Sequence, residues 1–255
     1  MTASSDKIEQ AAALLASARP PGAALEILPA ELAPADAAEA WAVHQAFVAK
    51  SGPAVAWKVG ASSPQAEIGV GEIAADTLHQ SPARMPAAAL RLWAVEAEIA
   101  VTLGRDLCPR ETPYETEEVL AAVATWHAAI EVLDTAFAEW RGAPSLWKVA
   151  DRQNHGALIV GPGTERRPEG PLGELPVRLK IDGAPAFEHR GGNNAGDPTW
   201  LLVALVNRLA KTDRWLKAGD VVTTGSATPF LQAKTGQRVA AEFDGLEAAE
   251  LVVEA

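Results

Sequence analysis

The chain has 255 residues, with 22 Lys and Arg against 33 Asp and Glu, giving a formal charge of −11 at neutral pH. That balance excludes a phosphate-reading protein, which needs a basic stripe to displace counterions, and it disfavours an anionic membrane surface. With 48% apolar and 22% charged residues the chain can bury a sizeable core, and no apolar run approaches the length that crosses a bilayer. Neither nucleic acid nor membrane is an expected partner. Residues 1–10 are polar and carry Asp6 and Glu9 where a secretory signal needs a basic patch and an apolar stretch, so the expected location is cytoplasmic. Cys108 is the only cysteine, which removes internal disulfides and thiolate metal clusters.

Ser5 caps a predicted helix over 6–18 that ends at Pro20-Pro21. A second helix is predicted from Pro34, with Ala40, Val43 and Phe47 at i, i+3, i+7 and a stop at Gly52. After it the pattern shortens, and 54–59, 92–103, 129–134 and 157–160 read as strands. A helix carrying Glu117, Glu118, Leu120, Val123 and His127 is expected between two of them, with Thr112, Pro113 and Glu115 as its start. Asp182-Gly183 and Asp244-Gly245 are hairpin turns between alternating segments. Asp197-Pro198 opens a helix whose Leu202, Leu205, Val206 and Leu209 form an apolar stripe. Helices first and a strand-rich body afterwards make an α+β chain. Residues 1–53 read as an N-terminal helical segment packed on a body of 54–255.

Along 92–103, Val95, Ala97, Ile99, Val101 and Leu103 share one face, while Ala94, Glu96, Glu98, Ala100 and Thr102 share the other. Glu96 and Glu98 stand about 6.6–6.8 Å apart along the strand, close enough for their side chains to converge on one cation. A solvated strand face is the alternative, which the small apolar neighbours Ala94 and Ala100 weaken. Glu131 is a third acid among apolar residues, of opposite parity to Asp134, so only one of that pair can face the same pocket. Three carboxylates select Mg²⁺ or Mn²⁺ over Zn²⁺. His44, His79, His127, His155 and His189 are scattered and are expected at the surface or in structural roles. Lys58 shares its face with Ala54, Ala56 and Gly60, which suits either an edge-strand lysine or a pocket lysine that moves protons. Gly69-Val70-Gly71-Glu72-Ile73-Ala74 has the spacing of a dinucleotide fingerprint but lacks the preceding strand, so that function is rejected. The loop 191–196 could hold an anion ahead of its helix, and a plain flexible loop is the simpler expectation.

Four motifs in order, Trp57-Lys58-Val59-Gly60, Val95-Glu96-Ala97-Glu98-Ile99-Ala100, Ile130-Glu131-Val132-Leu133-Asp134 and Ala218-Gly219-Asp220-Val221-Val222-Thr223-Thr224-Gly225-Ser226, resemble the fumarylacetoacetate hydrolase superfamily. The branch most similar is that of 2-keto-4-pentenoate hydratase and 4-oxalocrotonate decarboxylase. The resemblance implies a mixed β-sandwich or roll behind the N-terminal helices, Mg²⁺ or Mn²⁺ as cofactor, and a homodimer or larger homo-oligomer. It places Glu96, Glu98 and Glu131 at the metal and Lys58 at the proton-moving position. Ser226 and Thr228 fall in the segment that lines the substrate pocket, and Asp151 near the active site. Where hydratases of the family carry a Phe-Gly segment and an acidic pair, this chain has Ala75-Asp76-Thr77, which leaves Asp76 as the candidate for guiding water. Arg152 replaces the family's Asn and could meet a second substrate carboxylate or face solvent. The implied reaction adds water to a 2-hydroxy-2,4-dienoate to give a 4-hydroxy-2-oxo acid. Alternatives are decarboxylation of a 2-oxo-hexenedioate, C–C hydrolysis of an acylpyruvate, and a non-catalytic homologue that binds metal and a 2-oxo acid.

Overall fold

The computed structural model describes residues 5–255. Helix α1 (Ser5–Ser17) and helix α2 (Ala37–Lys50) lie against each other and against the short α4 (Ser145–Ala150). Their shared core is Ala11, Ala12 and Leu15, Val43 and Phe47, and Trp147. Helix α2 starts at Ala37, three residues beyond the expected Pro34, and its cap is Asp36, whose Oδ1 accepts from the Glu39 N–H at 2.8 Å, while Glu39 Oε2 accepts from the Ala35 N–H at 2.7 Å. The first bond satisfies one helix-end donor, and the second fixes the chain just ahead of the cap.

The body holds two sheets. The larger runs β2 (Gly69–Ala74), β1 (Ala54–Gly60), β10 (Val221–Ser226), β5 (Ala94–Leu103), β6 (Val123–Leu133), β7 (His155–Val160) and β3 (Leu78–Gln80), with β11 (Leu231–Gln232) also on β5. The smaller runs β4 (Ala83–Pro86), β13 (Ala249–Glu254), β12 (Arg238–Phe243), β8 (Pro176–Ile181) and β9 (Ala184–Arg190). Both expected hairpins are present, β8–β9 through Asp182-Gly183 and β12–β13 around Asp244-Gly245. Val95, Ile99, Ile130 and Val132 of the first sheet, Val177, Leu179, Val239 and Leu251 of the second, and Leu201, Leu202 and Leu205 of α5 (Thr199–Leu209) form one large core. Each fully buried Leu or Ile in it contributes about 1.5–3 kcal/mol. The opposite face of the larger sheet buries a smaller cluster, Ala56, Ile73, Ala100, Ala129, Leu158, Val160 and Val221.

The structure corrects three expected elements. Helix α3 (Thr116–Leu120) is one turn capped by Glu115 and Glu118, and Val123 and His127 belong to β6. Pairing of Ala100 with His127 and Thr102 with Thr125 extends that strand, so ladder hydrogen bonds override a helix-like pattern. The Gly-x-Gly segment is itself strand β2, antiparallel to β1. The loop at 191–196 is pinned: Asn193 Nδ2 donates to the Thr224 and Gly225 carbonyls at 2.9 and 3.1 Å.

Candidate active site

Strand β5 delivers Glu96 and Glu98 to the face opposite the large core, as its alternation requires. In the antiparallel register Glu96 pairs directly with Glu131 of β6, so the two side chains leave the sheet on the same side. One oxygen from each of Glu96, Glu98 and Glu131 lies within 4.8 Å of the others. On the other flank of β5, the register of β10 is irregular between Thr223 and Ser226, and Gly225 takes φ +82°, a left-handed conformation open to glycine. The kink aims the Thr223 hydroxyl and the Gly225 N–H at Glu98 Oε2, the latter at 3.1 Å.

Lys58 lies on β1, three strand intervals from Glu131 in the order β1, β10, β5, β6. On a flat sheet that separation is about 14 Å, beyond a lysine's reach. The sheet curls, and Lys58 Nζ donates to Glu131 Oε1 at 2.5 Å and to the Gln153 carbonyl at 3.3 Å. Its stem needs the empty space at Gly71, the β2 residue paired with it, where a Cβ would stand 2.9 Å from Lys58 Cγ. The glycine of the nucleotide-like motif thus makes room for a lysine.

His155, fully buried, completes the cluster with Nδ1 2.9 Å from Glu131 Oε1 and Nε2 3.2 Å from Thr77 Oγ1. Burial pushes its pKa down to about 4, so at neutral pH the imidazole is uncharged and Nδ1–H can donate to Glu131. Three carboxylates therefore face one ammonium. Burial raises Glu98 well above the ordinary carboxylate range, and burial with the charge of Glu131 raises Glu96 to about 7. Burial also pushes Glu131 upward, but Lys58 and His155 outweigh it and hold Glu131 low. A site with more buried acid than cation, built only of carboxylate oxygens, fits a hard divalent ion. Glu96, Glu98 and Glu131 are the residues that could hold one.

A sequence profile of the fumarylacetoacetate (FAA) hydrolase C-terminal family matches residues 40–254. The chain belongs to the fumarylacetoacetate hydrolase family. One relative of this family member, 2-keto-4-pentenoate hydratase 1 of Dechloromonas aromatica (strain RCB), is 30% identical over 93% of this chain and 94% of its own length. The 2-keto-4-pentenoate hydratase of Paraburkholderia phymatum (strain DSM 17167 / CIP 108236 / LMG 21445 / STM815) is 29% identical over 94% of this chain and 95% of its own. In fold, the family member resembles 4-oxalocrotonate decarboxylase from Pseudomonas putida G7, a structure complexed with magnesium and adipate. That likeness has a TM-score of 0.85 at 20% identity and covers 99% of both chains.

Of the residues singled out from sequence, the fold brings Lys58, Glu96, Glu98 and Glu131 into one cluster. Ser226 and Thr228 border it: Ser226 pairs with Glu98 in the ladder, its Oγ donates to the Thr228 carbonyl at 2.6 Å, and Thr228 Oγ1 accepts from the Ala97 N–H at 3.0 Å. Asp151, a catalytic candidate from sequence, is anchored in a buried network and makes no hydrogen bond to Lys58 or to the three glutamates. Its carboxylate, wholly buried, binds Arg19 at 2.7 Å, the Thr135 hydroxyl at 2.8 Å and the Ala136 N–H at 3.0 Å, which uses its acceptors. Asp134, as its parity demanded, serves structure as well, accepting from the Arg91 and Leu92 N–H groups. Asp76 is exposed on the turn after β2 and makes no hydrogen bond to Lys58 or to the three glutamates. Arg152 does not face solvent; it is 5% exposed. His44, His127 and His155 are interior residues, and His155 and Thr223 are site members that sequence reasoning passed over. A polar residue within an apolar strand was the available signal for both.

Proposed function

We propose that the protein is a divalent-metal-dependent hydratase that adds water to a 2-hydroxy-2,4-dienoate of the 2-keto-4-pentenoate type, giving a 4-hydroxy-2-oxo acid, as in aromatic catabolism. The observation that carries this reading is the ion pair of Lys58 with Glu131 inside a cluster of three convergent carboxylates. The hydratase names of relatives aligned along nearly the whole chain support it. Mg²⁺ or Mn²⁺ held by Glu96, Glu98 and Glu131 would supply a Lewis acid toward the carboxylate and 2-oxygen of the substrate. Thr223 and Gly225 fix Glu98, and His155 fixes Glu131, so the donor set is oriented before substrate arrives. Lys58 moves the proton that converts the dienol to the conjugated ketone, and water then adds at C4. Ser226 and Thr228 shape the substrate side of Glu98. Cytoplasmic location and a homodimeric or larger assembly belong to the same reading.

The test is incubation of the full chain with 2-hydroxypenta-2,4-dienoate and Mg²⁺ or Mn²⁺, following loss of diene absorbance, with proton NMR for the product and CO₂ trapping. Formation of the 4-hydroxy-2-oxo acid, abolished by EDTA and by Lys58→Ala, is the expected result. Release of CO₂ from 2-oxo-hexenedioate without hydration of the dienoate would replace the hydratase by a decarboxylase. No turnover of either compound by a chain that binds metal would leave a non-catalytic homologue.

A further inference from the structure

Between the N-terminal helices and the β body lies a cavity of about 530 Å³, walled by Arg19, Phe47, Thr77, Met85, Leu90 and Arg152. Its three arginines differ, and Arg84 is paired with Glu254. Arg19 is fully engaged, donating to Asp151, Asp134 and the carbonyls of Asp151 and His155. Arg152 is buried, and among the described residues neither its Nε nor its Nη1 finds a hydrogen-bond partner. The guanidinium stacks 4.4 Å over the Phe47 ring. Of three neighbouring acids, Asp151 is taken by Arg19, Thr135 and Ala136, Asp134 by Arg19, Arg91 and Leu92, and Asp76 is exposed and forms no ion pair with Arg152. A buried, unpaired guanidinium is an unusual feature that calls for a counter-ion. Burial, and next the charge of Arg19, lower its pKa to about 10, which leaves it cationic at neutral pH.

The turn that holds Arg152 is also exceptional. Arg152, Gln153 and Asn154 all take positive φ, 56°, 52° and 59°. None is glycine, and such conformations cost about 1–3 kcal/mol each and persist where the surroundings impose them. The turn sends the Gln153 carbonyl to Lys58 Nζ while Arg152 lines the cavity. On the same wall Thr77 touches His155, which touches Glu131.

We propose that this cavity is a carboxylate-binding site in which the fork of Arg152 grips the two carboxylate oxygens. Among the described residues, Arg19, Lys50 and Arg84 on the wall are paired with acids, and Arg152 is left to meet the negative charge of a ligand. Asp76 and Asp134 share the wall with Arg19, Lys50 and Arg84, and Phe47, Met85 and Leu90 suit a carbon chain behind the carboxylate. The carboxylate has two possible sources: the far end of a dicarboxylic substrate, an option that rests on the hydratase reading, or a separate small acid.

The test uses the full chain in EDTA, which removes chelation at the three glutamates, titrated with butyrate by thermal shift and calorimetry. Butyrate is expected to raise the melting temperature of wild type and of Glu98→Gln but not of Arg152→Gln. Butyramide, of the same shape without the charge, is expected to have no effect, a control that needs no variant to fold. Arg152→Lys, which keeps the charge and loses the fork, is expected to bind about tenfold more weakly, which is about 1.4 kcal/mol. No butyrate shift in wild type, an equal shift in Arg152→Gln, or an equal shift with butyramide overturns the proposal. With Mg²⁺ present, a far substrate carboxylate predicts that Arg152→Gln lowers the ratio of kcat/KM for the dienedioate over the dienoate at least tenfold, with butyrate competitive. A separate acid leaves that ratio in place and acts without competing. If nothing is turned over, the hydratase reading fails while the EDTA titration still decides the site.

Discussion

In the absence of metal, the cluster of Glu96, Glu98 and Glu131 penalises its own charge, and Glu96→Gln isolates that penalty. Burial first, and then the charge of Glu131, lift the Glu96 carboxyl from 4.5 to about 7. An acid whose folded value exceeds its unfolded value supports the fold fully below about pH 4.5 and loses that support as pH climbs through about 7. At about 1.4 kcal/mol per pH unit the difference amounts to about 3 kcal/mol. Water at the half-buried Glu96 screens part of this, leaving about 2–3 kcal/mol. For a chain of this size that corresponds to about 4–12 °C in Tm. In EDTA, wild type is expected to lose that much relative to Glu96→Gln between pH 5 and pH 8. Saturating Mg²⁺ reverses the sign: at 100 times Kd it adds about 2.7 kcal/mol to wild type at pH 8, and far less at pH 5, where protons compete for the carboxylates. Thermal scans of both proteins at the two pH values, with EDTA or Mg²⁺, read all of these quantities. Parallel pH curves for wild type and variant in EDTA, or an equal Mg²⁺ effect on both at pH 8, would refute the reasoning.

Lys58→Ala is expected to lower turnover by about 10²- to 10⁴-fold while the Mg²⁺ thermal shift persists, measured by steady-state kinetics beside melting scans. His155→Leu removes the Nδ1–H donor from Glu131, and calorimetry should show metal affinity falling about 10- to 100-fold. Asp151→Asn breaks the buried pair with Arg19 and should cost about 3–5 kcal/mol in urea unfolding; a loss under 1 kcal/mol would contradict its role as anchor. Leu205→Ala, at a fully buried position of α5, should cost about 2–5 kcal/mol in the same assay.

The strand alternation at Glu96 and Glu98 could be read directly, because a period of two fixes which residues share a face whatever the strand pairs with. The same parity argument separated Glu131 from Asp134, and the structure gives the first to the carboxylate cluster and the second to Arg19 and two backbone N–H groups. Asp-Gly turns located both hairpins because their backbone demands are local. His127 went astray for the opposite reason: only pairing with Ala100 on β5 makes its segment a strand. Arg152 was beyond local reading too, since its burial depends on Phe47 from α2, more than 100 positions earlier in the chain. His155 lies three positions before Leu158, the ladder partner of Glu131, and pairs with Leu133 beyond a register shift in β6–β7, so its approach to Glu131 is not a local property.

What the sequence by itself determined is the set of faces, turns and charges: an acidic α+β chain with two glutamates on one side of a strand, a third acid among apolar residues and a lysine beside small neighbours. Those follow from periodicity and local backbone preference, which act within a few residues. What only the tertiary structure decided is the curl of the larger sheet, which brings Lys58 on β1 to within 2.5 Å of Glu131 three strands away, and the kink at Gly225 that turns β10 onto Glu98. Curvature arises from the packing of one sheet against the other and against the helices, a balance of many contacts distant in sequence, so no local pattern encodes it.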